Sequence, residues 1–463
     1  MKRSERRVTG RLTRREFLKA GALGGAALLA GGPVLAQATA AARRPNILFI
    51  ISDQMGMDAL SAHGCADART PNLDRLAQGG VSFKLSYTTD PVCSPARSSM
   101  FTGRMPSETG VVVNGVPIRE SIPNMGQWVG KQGYETVYAG KWHLPGSLVK
   151  EIPGFKVIPV GLGGQGHLGD AAVSRACQGY LRHRSGASPF LLVASFLQPH
   201  DICGWRTMHL NDPDVLPYPE IEAELPPLPP NFKYDPREPQ KVGRRARPTW
   251  SQRQWRYYEW SYYRHVEMVD AEIGRLLRAL EDCGEMEKTL VVFTSDHGDG
   301  RARHQWTGKN TPYEESVRVP LIVSLPGRVL QGRQDETHLV SGLDIMPTVC
   351  DYAGAPSPPR VCGRSLRPLA EGKPVEWRSF AVAEVQETGR MLRTADWKFS
   401  VFKDDPVEQL FDMKNDPWET KNLAGEAKCG AVLEEHRRLL KGWESRLDLA
   451  PVREKGGRED ADG

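Results

Sequence analysis

The stretch Pro45–Ser52 (PNILFIIS) is a continuous apolar run that contains three isoleucines. β-Branched residues suit extended backbone, and an uninterrupted apolar run is typical of a strand buried on both faces of a parallel sheet. The run leads directly into Asp53 and Gln54, which place a carboxylate and an amide where the strand stops. The stretch therefore predicts a central parallel strand with polar groups at its carboxyl end.

Three further apolar runs, at 134–139, 190–197 and 290–294, also lead into ionisable residues. These are Lys141 and His143 after the first run, His200 after the second, and Asp296 and His297 after the third. In parallel sheets ligands bind beyond the carboxyl ends of the strands. The four runs together predict a binding site at one edge of the sheet.

Helical patterns separate these runs. The strongest has apolar residues at helical spacing: Val266, Val269, Ile273, Leu276, Leu277 and Leu280. Strands that alternate with helices predict an α/β fold, with a mostly parallel sheet flanked by helices. We assign this larger domain to residues 45–375.

Residues 376–450 have a different pattern, which predicts a smaller C-terminal α+β subdomain with an antiparallel sheet. Its short strands are expected at 380–385, 391–394 and 397–402, before a closing helix at about 431–446. Residues 451–463 are charged and rich in glycine, and are expected to be a disordered tail.

The N-terminal segment has the pattern of a twin-arginine signal peptide. Residues 13–19 (TRREFLK) precede a short apolar stretch at 20–35, and the small residues up to Ala36 suit cleavage. We therefore expect residues 1–36 to be removed after export by the twin-arginine translocase, which leaves the protein periplasmic or secreted. A retained membrane anchor is the less favoured alternative, because the apolar stretch is short.

The charge of the chain comes mainly from this segment. Eight of the 61 Lys and Arg residues and two of the 56 Asp and Glu residues lie in residues 1–36, so 53 basic and 54 acidic residues remain. A nearly neutral body gives no reason to expect a nucleic-acid partner. No later apolar run is long enough for a stable membrane span.

The chain contains eight cysteines and no C-x-x-C pair, which argues against a structural zinc site. A short disulfide loop between Cys350 and Cys362 is conceivable in an exported protein, but no pairing is predicted.

The segment 212–248 contains ten prolines and is expected to run irregularly over the surface. Seven aromatic residues follow it: Trp250, Trp255, Tyr257, Tyr258, Trp260, Tyr262 and Tyr263. We expect them to pack against the body of the protein rather than to stack on a sugar or aryl group.

The stretch 91–104 (PVCSPARSSMFTGR) predicts the beginning of a helix. Pro95 suits the first turn, and Ser94 is expected to cap it. Cys93 would then lie in the field of free helix N–H groups, and Arg97 would face the same way one turn later. This predicts an anion site with a reactive side chain, the alternative being a small buried cysteine.

The residues Cys93, Pro95 and Arg97 resemble the Cys-x-Pro-x-Arg signature of formylglycine-dependent sulfatases, in the alkaline phosphatase superfamily. The match continues through Ser98, Thr102, Gly103 and Arg104, and the segment 409–423 resembles the C-terminal part of sulfatases. The resemblance implies an alkaline-phosphatase-like fold and hydrolysis of a sulfate monoester to an alcohol and inorganic sulfate.

The resemblance also implies that Cys93 is oxidised to formylglycine, by a formylglycine-generating enzyme or an anaerobic sulfatase-maturating enzyme. The hydrated aldehyde attacks sulfur, and its second hydroxyl allows sulfate to be expelled. Because twin-arginine substrates cross the membrane folded, the oxidation is expected in the cytoplasm, before the fold closes over Cys93.

The resemblance implies a role for each residue of this sequence that matches a family site residue. The expected metal ligands are Asp53, Gln54, the modified Cys93, Asp296 and His297. The other expected roles belong to Lys141 and Lys309 as sulfate contacts, His143 at the formylglycine hydroxyl, His200 at the leaving group, and Arg97 as a brace for the formylglycine loop. His304 is a candidate for approaching the leaving group, whereas His63 is expected to be structural.

The metal pairs depart from the commonest sulfatase pattern, which has Asp-Asp and Asp-Asn. Asp53-Gln54 and Asp296-His297 are more similar to choline sulfatases and phosphonate monoester hydrolases. Oxygen ligands favour Ca²⁺, while the imidazole leaves Mn²⁺ and Mg²⁺ open. The alternative functions are a phosphonate or phosphate ester hydrolase that uses the same formylglycine, and a non-catalytic sulfated-glycan-binding protein.

Overall fold

The computed structural model describes residues 44–146, 149–160, 166–243 and 249–451. The predicted signal peptide and nearly all of the predicted tail lie outside the described residues. No helix in the described ranges is long and apolar enough to cross a membrane. None of the eight cysteines forms a disulfide in the structure, including the pair Cys350 and Cys362.

An eight-stranded sheet forms the centre of the molecule, in the order β5-β4-β6-β1-β7-β8-β2-β9. Its strands are β1 (Asn46–Asp53), β2 (Val81–Phe83), β4 (Glu135–Gly140), β5 (Lys156–Ile158), β6 (Phe190–Pro199), β7 (Thr289–Ser295), β8 (Leu321–Ser324) and β9 (Arg333–Asp335). The chain also forms the two-stranded pair β3 (Ser86–Tyr87) and β10 (Val340–Ser341).

Strand β1 is central and parallel to both of its neighbours, β6 and β7. β4 and β5 continue the parallel arrangement, whereas β8 runs antiparallel to β7 and β2. The prediction of a mostly parallel sheet is confirmed. Every residue of β1 is buried, as its unbroken apolar run predicts for a strand covered on both faces.

Helices cover both faces of this sheet. The helices of the described residues are α1 (Pro71–Gln78), α2 (Cys93–Thr102), α3 (Pro106–Thr109), α4 (Met125–Gly130), α5 (Gly166–His183), α6 (Ile202–His209), α7 (Pro219–Glu222), α8 (Gln240–Gly243), α9 (Gln252–Asp282), α10 (Glu314–Val317), α11 (Ile345–Ala353), α12 (Arg367–Ala370) and α13 (Gly430–Glu444).

The alternation of side chains along β1 divides the core into two layers. Leu48 and Ile50 pack with α1, α5 and α9 on one face. Ile47, Phe49 and Ile51 pack with α2, α4 and α11 on the other face. The helix that begins at Cys93 is therefore held against the central strand by hydrophobic burial, at about 25 cal/mol for each Å² of apolar surface removed from water.

Six of the seven aromatic residues before and within α9 pack inward, as expected, while Trp260 is half-buried and lies against Arg264. Trp255, Tyr258 and Tyr262 are fully buried, and Trp250 is 8% exposed. The rings of Trp250, Trp255 and Tyr258 meet each other, and those of Trp250 and Tyr258 also meet Trp205 of α6, at centroid distances of 4.9 to 6.4 Å. The proline-rich segment contains only the short helices α7 and α8 in its described part.

The C-terminal part contains the predicted antiparallel sheet, in the order β11-β12-β13-β14. Its strands are β11 (Ala381–Val385), β12 (Gly389–Arg393), β13 (Trp397–Phe402) and β14 (Gln409–Asp412). We did not predict β14 as a strand, because its four residues carry little alternation. One face of the sheet packs on α13, and the other packs on Tyr87, Tyr313 and Val317.

Candidate active site

The candidate site lies at the carboxyl ends of four neighbouring strands, β4, β6, β1 and β7. These strands are parallel, so their ends meet at one edge of the sheet. The residues found there are Asp53 at the end of β1, Asp296 and His297 after β7, Lys141 after β4 and His200 after β6. The sequence therefore predicted the location of these side chains correctly.

Two glycines make close approaches that this edge requires. Gly140 has φ 100°, and a Cβ there would lie 1.9 Å from the carbonyl oxygen of Ser195, so only glycine lets β4 turn directly into Lys141. A Cβ at Gly298 would lie 1.9 Å from the carbonyl oxygen of Glu315. The absence of a side chain thus allows the loop after β7 to pack against α10.

Cys93 is the first residue of α2, whose ten residues are all buried. Pro95 lies in the first turn, as predicted. The prediction that Ser94 caps the helix is wrong, because the cap position falls on Val92, which makes no side-chain cap. The Ser94 hydroxyl donates instead to the carbonyl of His143 at 2.5 Å, so it ties α2 to the loop after β4.

Four buried side chains bring potential metal-ligand atoms together in one cluster. The ligand atoms of Asp53, Cys93, Asp296 and His297 all lie within 4.8 Å of one another. Nδ1 of His297 lies 2.9 Å from the Gly298 carbonyl, which can only accept, so Nδ1 carries the proton. Nε2 faces the cluster, 3.1 Å from the Cys93 sulfur, and offers a lone pair to a metal ion when the ring is neutral.

Arg97 joins the two carboxylates of this cluster and is itself fully buried. It donates from Nε to Asp296 at 2.9 Å and from a terminal nitrogen to Asp53 at 3.0 Å. The other terminal nitrogen donates to the Lys141 carbonyl and the Ser195 hydroxyl. Burial, and then repulsion from Asp53, still raises the pKa of Asp296. Further positive charge in the cluster would therefore favour its ionised form.

The ammonium groups of two lysines lie close to the Cys93 sulfur. Nζ of Lys309 lies 3.0 Å from Cys93 Sγ, and Nζ of Lys141 lies 3.7 Å from it and 2.7 Å from Asp53. Burial and Asp53 raise the pKa of the Cys93 thiol. The two lysines and His297 outweigh both effects and hold that pKa well below its usual value. This position is therefore strongly electropositive and favours an anion.

Gln54 lies beside the cluster and is fully buried, with backbone φ of 72°. Its side-chain oxygen accepts from Lys309 Nζ at 3.2 Å. Its side-chain nitrogen donates to Asp299 at 2.7 Å. The amide oxygen thus faces Lys309, the lysine whose ammonium group also contacts the Cys93 sulfur.

His200 and His143 follow neighbouring strands and differ in their surroundings. Burial, followed by Lys141 and Lys309, lowers the pKa of His200 to about 3, so its imidazole is neutral at pH 7 in the absence of a bound anion. His143 has φ 63°, and its backbone amide donates to Gly146 at 2.6 Å. Its Nδ1 is buried and has no hydrogen-bond partner among the described residues.

Two further histidines of interest in the sequence are His63 and His304. His63 is structural, as expected, because its ring nitrogens each lie 3.0 Å from a partner, the Met57 carbonyl and the Ser82 hydroxyl. His304 stacks on Tyr313 with ring centroids 4.0 Å apart. It borders a cavity of about 330 Å³ between the proline-rich segment and the C-terminal part.

Sequence reasoning missed two residues beside the cluster, Asp299 and Tyr258. The Tyr258 hydroxyl donates a hydrogen bond to the Asp299 carboxylate at 3.0 Å. Asp299 comes two residues after His297, so its place beside the predicted ligands was an available signal. Tyr258 gave none, because its ring belongs to an aromatic run that is explained by packing.

The model of the Sulfatase family matches residues 45–355, and the model described as N-sulphoglucosamine sulphohydrolase, C-terminal, matches residues 302–445. A Delta 4,5-hexuronate-2-O-sulfatase from Bacteroides thetaiotaomicron is 31% identical, over 88% of this chain and 90% of that protein.

Solved structures agree with these matches. A 2-O GAG sulfatase superposes with a TM-score of 0.77 and 29% identity, over 87% of this chain and 92% of that one. A phosphonate monoester hydrolase of Agrobacterium radiobacter shares the fold, with a TM-score of 0.74 and 24% identity, over 87% of this chain and 96% of that one. The predicted alkaline-phosphatase-like fold is confirmed. The chain belongs to the sulfatase family and is an enzyme that hydrolyses sulfate esters.

Proposed function

We propose that the cluster around Cys93 is the catalytic centre and that Cys93 is the precursor of formylglycine. The observation that carries this proposal is the convergence of Lys309 Nζ, Lys141 Nζ and His297 Nε2 on one buried sulfur atom, at 3.0, 3.7 and 3.1 Å. That sulfur occupies the place of the oxygen that formylglycine would carry. Once hydrated, formylglycine supplies one hydroxyl for attack on sulfur and a second through which sulfate is released.

A divalent cation fits the donor set of this cluster. Asp53, Asp296, His297 and the side-chain oxygen of Gln54 would hold it, together with the modified Cys93. When bound, the cation supplies positive charge that lowers the pKa of a hydroxyl and offsets the charge of the sulfate. We propose Ca²⁺ for the oxygen-rich set, with Mn²⁺ or Mg²⁺ as the alternative that the imidazole permits.

The remaining roles follow from charge and position. Lys141 and Lys309 bind the oxygens of the sulfate group, since both ammonium groups already face residue 93. Arg97 fixes the two carboxylates, and the unpartnered Nδ1 of His143 accepts a proton from the side chain at residue 93. An anion between the lysines offsets their effect on His200, whose pKa then rises, so that this imidazole can protonate the leaving oxygen.

We propose that the substrate is a sulfated carbohydrate. Similarity to a hexuronate-2-O-sulfatase and to a 2-O GAG sulfatase supports this class. The cavity beside His304 also supports it, because polar and aromatic side chains such as Lys233, Tyr234 and Asn422 line it. Such a mixture of side chains suits the hydroxyl groups and apolar faces of a sugar ring.

We also propose that the chain is modified before it folds and is then exported. Cys93 is fully buried, so a formylglycine-generating or anaerobic sulfatase-maturating enzyme needs the unfolded chain. The twin-arginine pattern in residues 1–36 supports subsequent export of the folded protein to the periplasm or medium. The division into a catalytic domain at 45–375 and a subdomain at 376–450 belongs to the same proposal.

The test is the mass and activity of variants at residue 93. The tryptic peptide 85–97 from the native host is expected to carry an aldehyde in place of the Cys93 thiol and to resist alkylation. Cys93→Ala is expected to lower kcat for an aryl sulfate by at least about a thousandfold, because it removes the nucleophile. Cys283→Ala, which changes a half-buried thiol outside the cluster, is the matched control and should retain activity. An unmodified thiol in active enzyme, or normal turnover by Cys93→Ala, contradicts the proposal.

A further inference from the structure

The amide of Gln54 is held from both ends. Its nitrogen donates to Oδ2 of Asp299 at 2.7 Å, while its oxygen accepts from Lys309 Nζ at 3.2 Å. The same Nζ lies 3.0 Å from the Cys93 sulfur. An amide has one end that donates and one that accepts, so these contacts fix which end faces the catalytic cluster.

Asp299 is itself fixed by donors on both of its oxygens. Oδ1 accepts from the Tyr258 hydroxyl at 3.0 Å and from the backbone N–H of Arg301 at 2.9 Å. Oδ2 lies 3.2 Å from the same hydroxyl and receives the Gln54 nitrogen. Asp299 and Tyr258 are fully buried, so water does not replace these contacts.

This arrangement determines which side chain position 54 can hold. A carboxylate there would meet the Asp299 carboxylate at hydrogen-bond distance, with little water to screen the charges, so the pair would either repel or have to take up a proton that the amide makes unnecessary. Only a side chain with a donor toward Asp299 and an acceptor toward Lys309 satisfies both neighbours. A glutamine meets both requirements, whereas a glutamate or aspartate meets one.

We propose that Asp299, held by Tyr258, is the positioning residue that turns the oxygen of Gln54 toward the metal cluster and makes an amide obligatory at position 54. The inference rests on the proposed metal role of Gln54. It also gives Tyr258 a polar function in addition to its packing in the aromatic layer of α9.

The geometry predicts that the amide at position 54 and the carboxylate at position 299 can be exchanged for each other. In Asp299→Asn, the asparagine oxygen is retained by Tyr258 and Arg301, so its nitrogen faces Gln54. Two amide nitrogens then oppose each other, and Gln54 has to turn its nitrogen toward Lys309. In Gln54→Glu, two carboxylates oppose each other. In the double variant, the asparagine nitrogen donates to the glutamate, whose other oxygen again faces Lys309.

The test is a double-mutant cycle read by metal binding. CaCl₂ and MnCl₂ are titrated separately into metal-free wild type, Gln54→Glu, Asp299→Asn and the double variant, by isothermal titration calorimetry. All four proteins are matched by intact mass for the state of Cys93. Each single variant is expected to bind at least about tenfold more weakly than wild type, as is usual when a ligand loses its support. The double variant is expected to bind more tightly than either single variant.

Asp270→Asn is the matched control, because it alters a buried carboxylate away from the cluster, on α9, that accepts hydrogen bonds from Asn72 and Leu73. It is expected to lower stability without changing metal affinity. Guanidinium unfolding of the metal-free proteins provides a second readout that does not need bound metal. The double variant should unfold at a higher midpoint than either single variant, even where a single variant folds poorly.

Three outcomes overturn the inference. Wild-type affinity in Asp299→Asn would show that Asp299 does not orient the amide. A double variant no better than the weaker single variant, in both affinity and midpoint, would show that the two positions are not complementary. Failure of wild type to bind either ion would instead remove the proposed metal site, and this inference with it.

Discussion

Arg97 determines whether the carboxylates of the site can remain buried together. Its guanidinium contacts Asp53 and Asp296 with separate nitrogens, and all three side chains are excluded from solvent. A planar fork of donors reaches both carboxylates at once, which the single ammonium of a lysine cannot do. The arginine of the predicted signature therefore acts on the structure of the cluster.

Replacing Arg97 by methionine should lower the free energy of unfolding by about 3 to 5 kcal/mol, because the buried Asp296 loses its arginine counterion and Asp53 keeps only Lys141. The measurement is guanidinium denaturation of metal-free protein at pH 7. The matched control is Arg75→Met, which breaks the pair with Glu281, in which both side chains are at least 39% exposed. We expect at most about 1 kcal/mol there. Equal losses in the two variants would contradict the structural role of Arg97.

Among the elements, β1 and α9 do most to position the site. β1 delivers Asp53 and Gln54 at its end, and α9 packs across one face of the sheet while its Tyr258 supports Asp299. The apolar residues that predicted α9 are at most 1% exposed. Their burial fixes the rotation of the helix, and with it the direction of the Tyr258 hydroxyl.

Leu276→Ala should therefore lower the free energy of unfolding by about 2 to 5 kcal/mol, the range for a truncated core leucine. Met268→Ala on the same helix is the control, because Met268 is 41% exposed. It should change stability by about 0.5 kcal/mol or less. Chemical denaturation of both variants is the measurement, and comparable losses would show that the helix does not bury the predicted face.

At the scale of the whole molecule, the antiparallel sheet shares a hydrophobic cluster with the larger part of the chain. Tyr87 and Tyr313 pack with residues of β11 to β14, including Met391 and Phe411. Lys398 of β13 is 1% exposed and lies 3.2 Å from the Glu314 carboxylate of α10. These contacts couple the C-terminal part to the loop that carries Lys309.

We therefore expect a single transition in scanning calorimetry of the intact enzyme, since neither part keeps a complete core without the other. A chain that stops after residue 375 should lose this transition, because it would expose Tyr87 and Tyr313. A chain that stops after Pro451 keeps all of these contacts and is the control. Two well-separated transitions in the intact enzyme would contradict the coupling.

Much of this architecture could be predicted from local pattern. The four strands that lead to Asp53, Lys141, His200 and Asp296 were predicted from their apolar runs, because a parallel strand that is buried on both faces needs an unbroken apolar run. The four-residue strand β14 was not predicted, since so short a run carries almost no periodicity. Ser94 was assigned wrongly for a different reason, because its hydroxyl found the His143 carbonyl, a partner 49 residues away.

Sequence alone was enough to establish the α/β order of strands and helices, the edge of the sheet where the site forms, and the family, the last through the residues around Cys93. These features depend on local periodicity and on motifs of a few residues, so they can be read along the chain. The tertiary structure was needed to show that Asp299 and Tyr258 support Gln54, and that the Ser94 hydroxyl bonds to the His143 carbonyl instead of capping its helix. Hydrogen bonds between residues about 200 to 250 positions apart depend on how the strands are ordered in space, which no local pattern encodes.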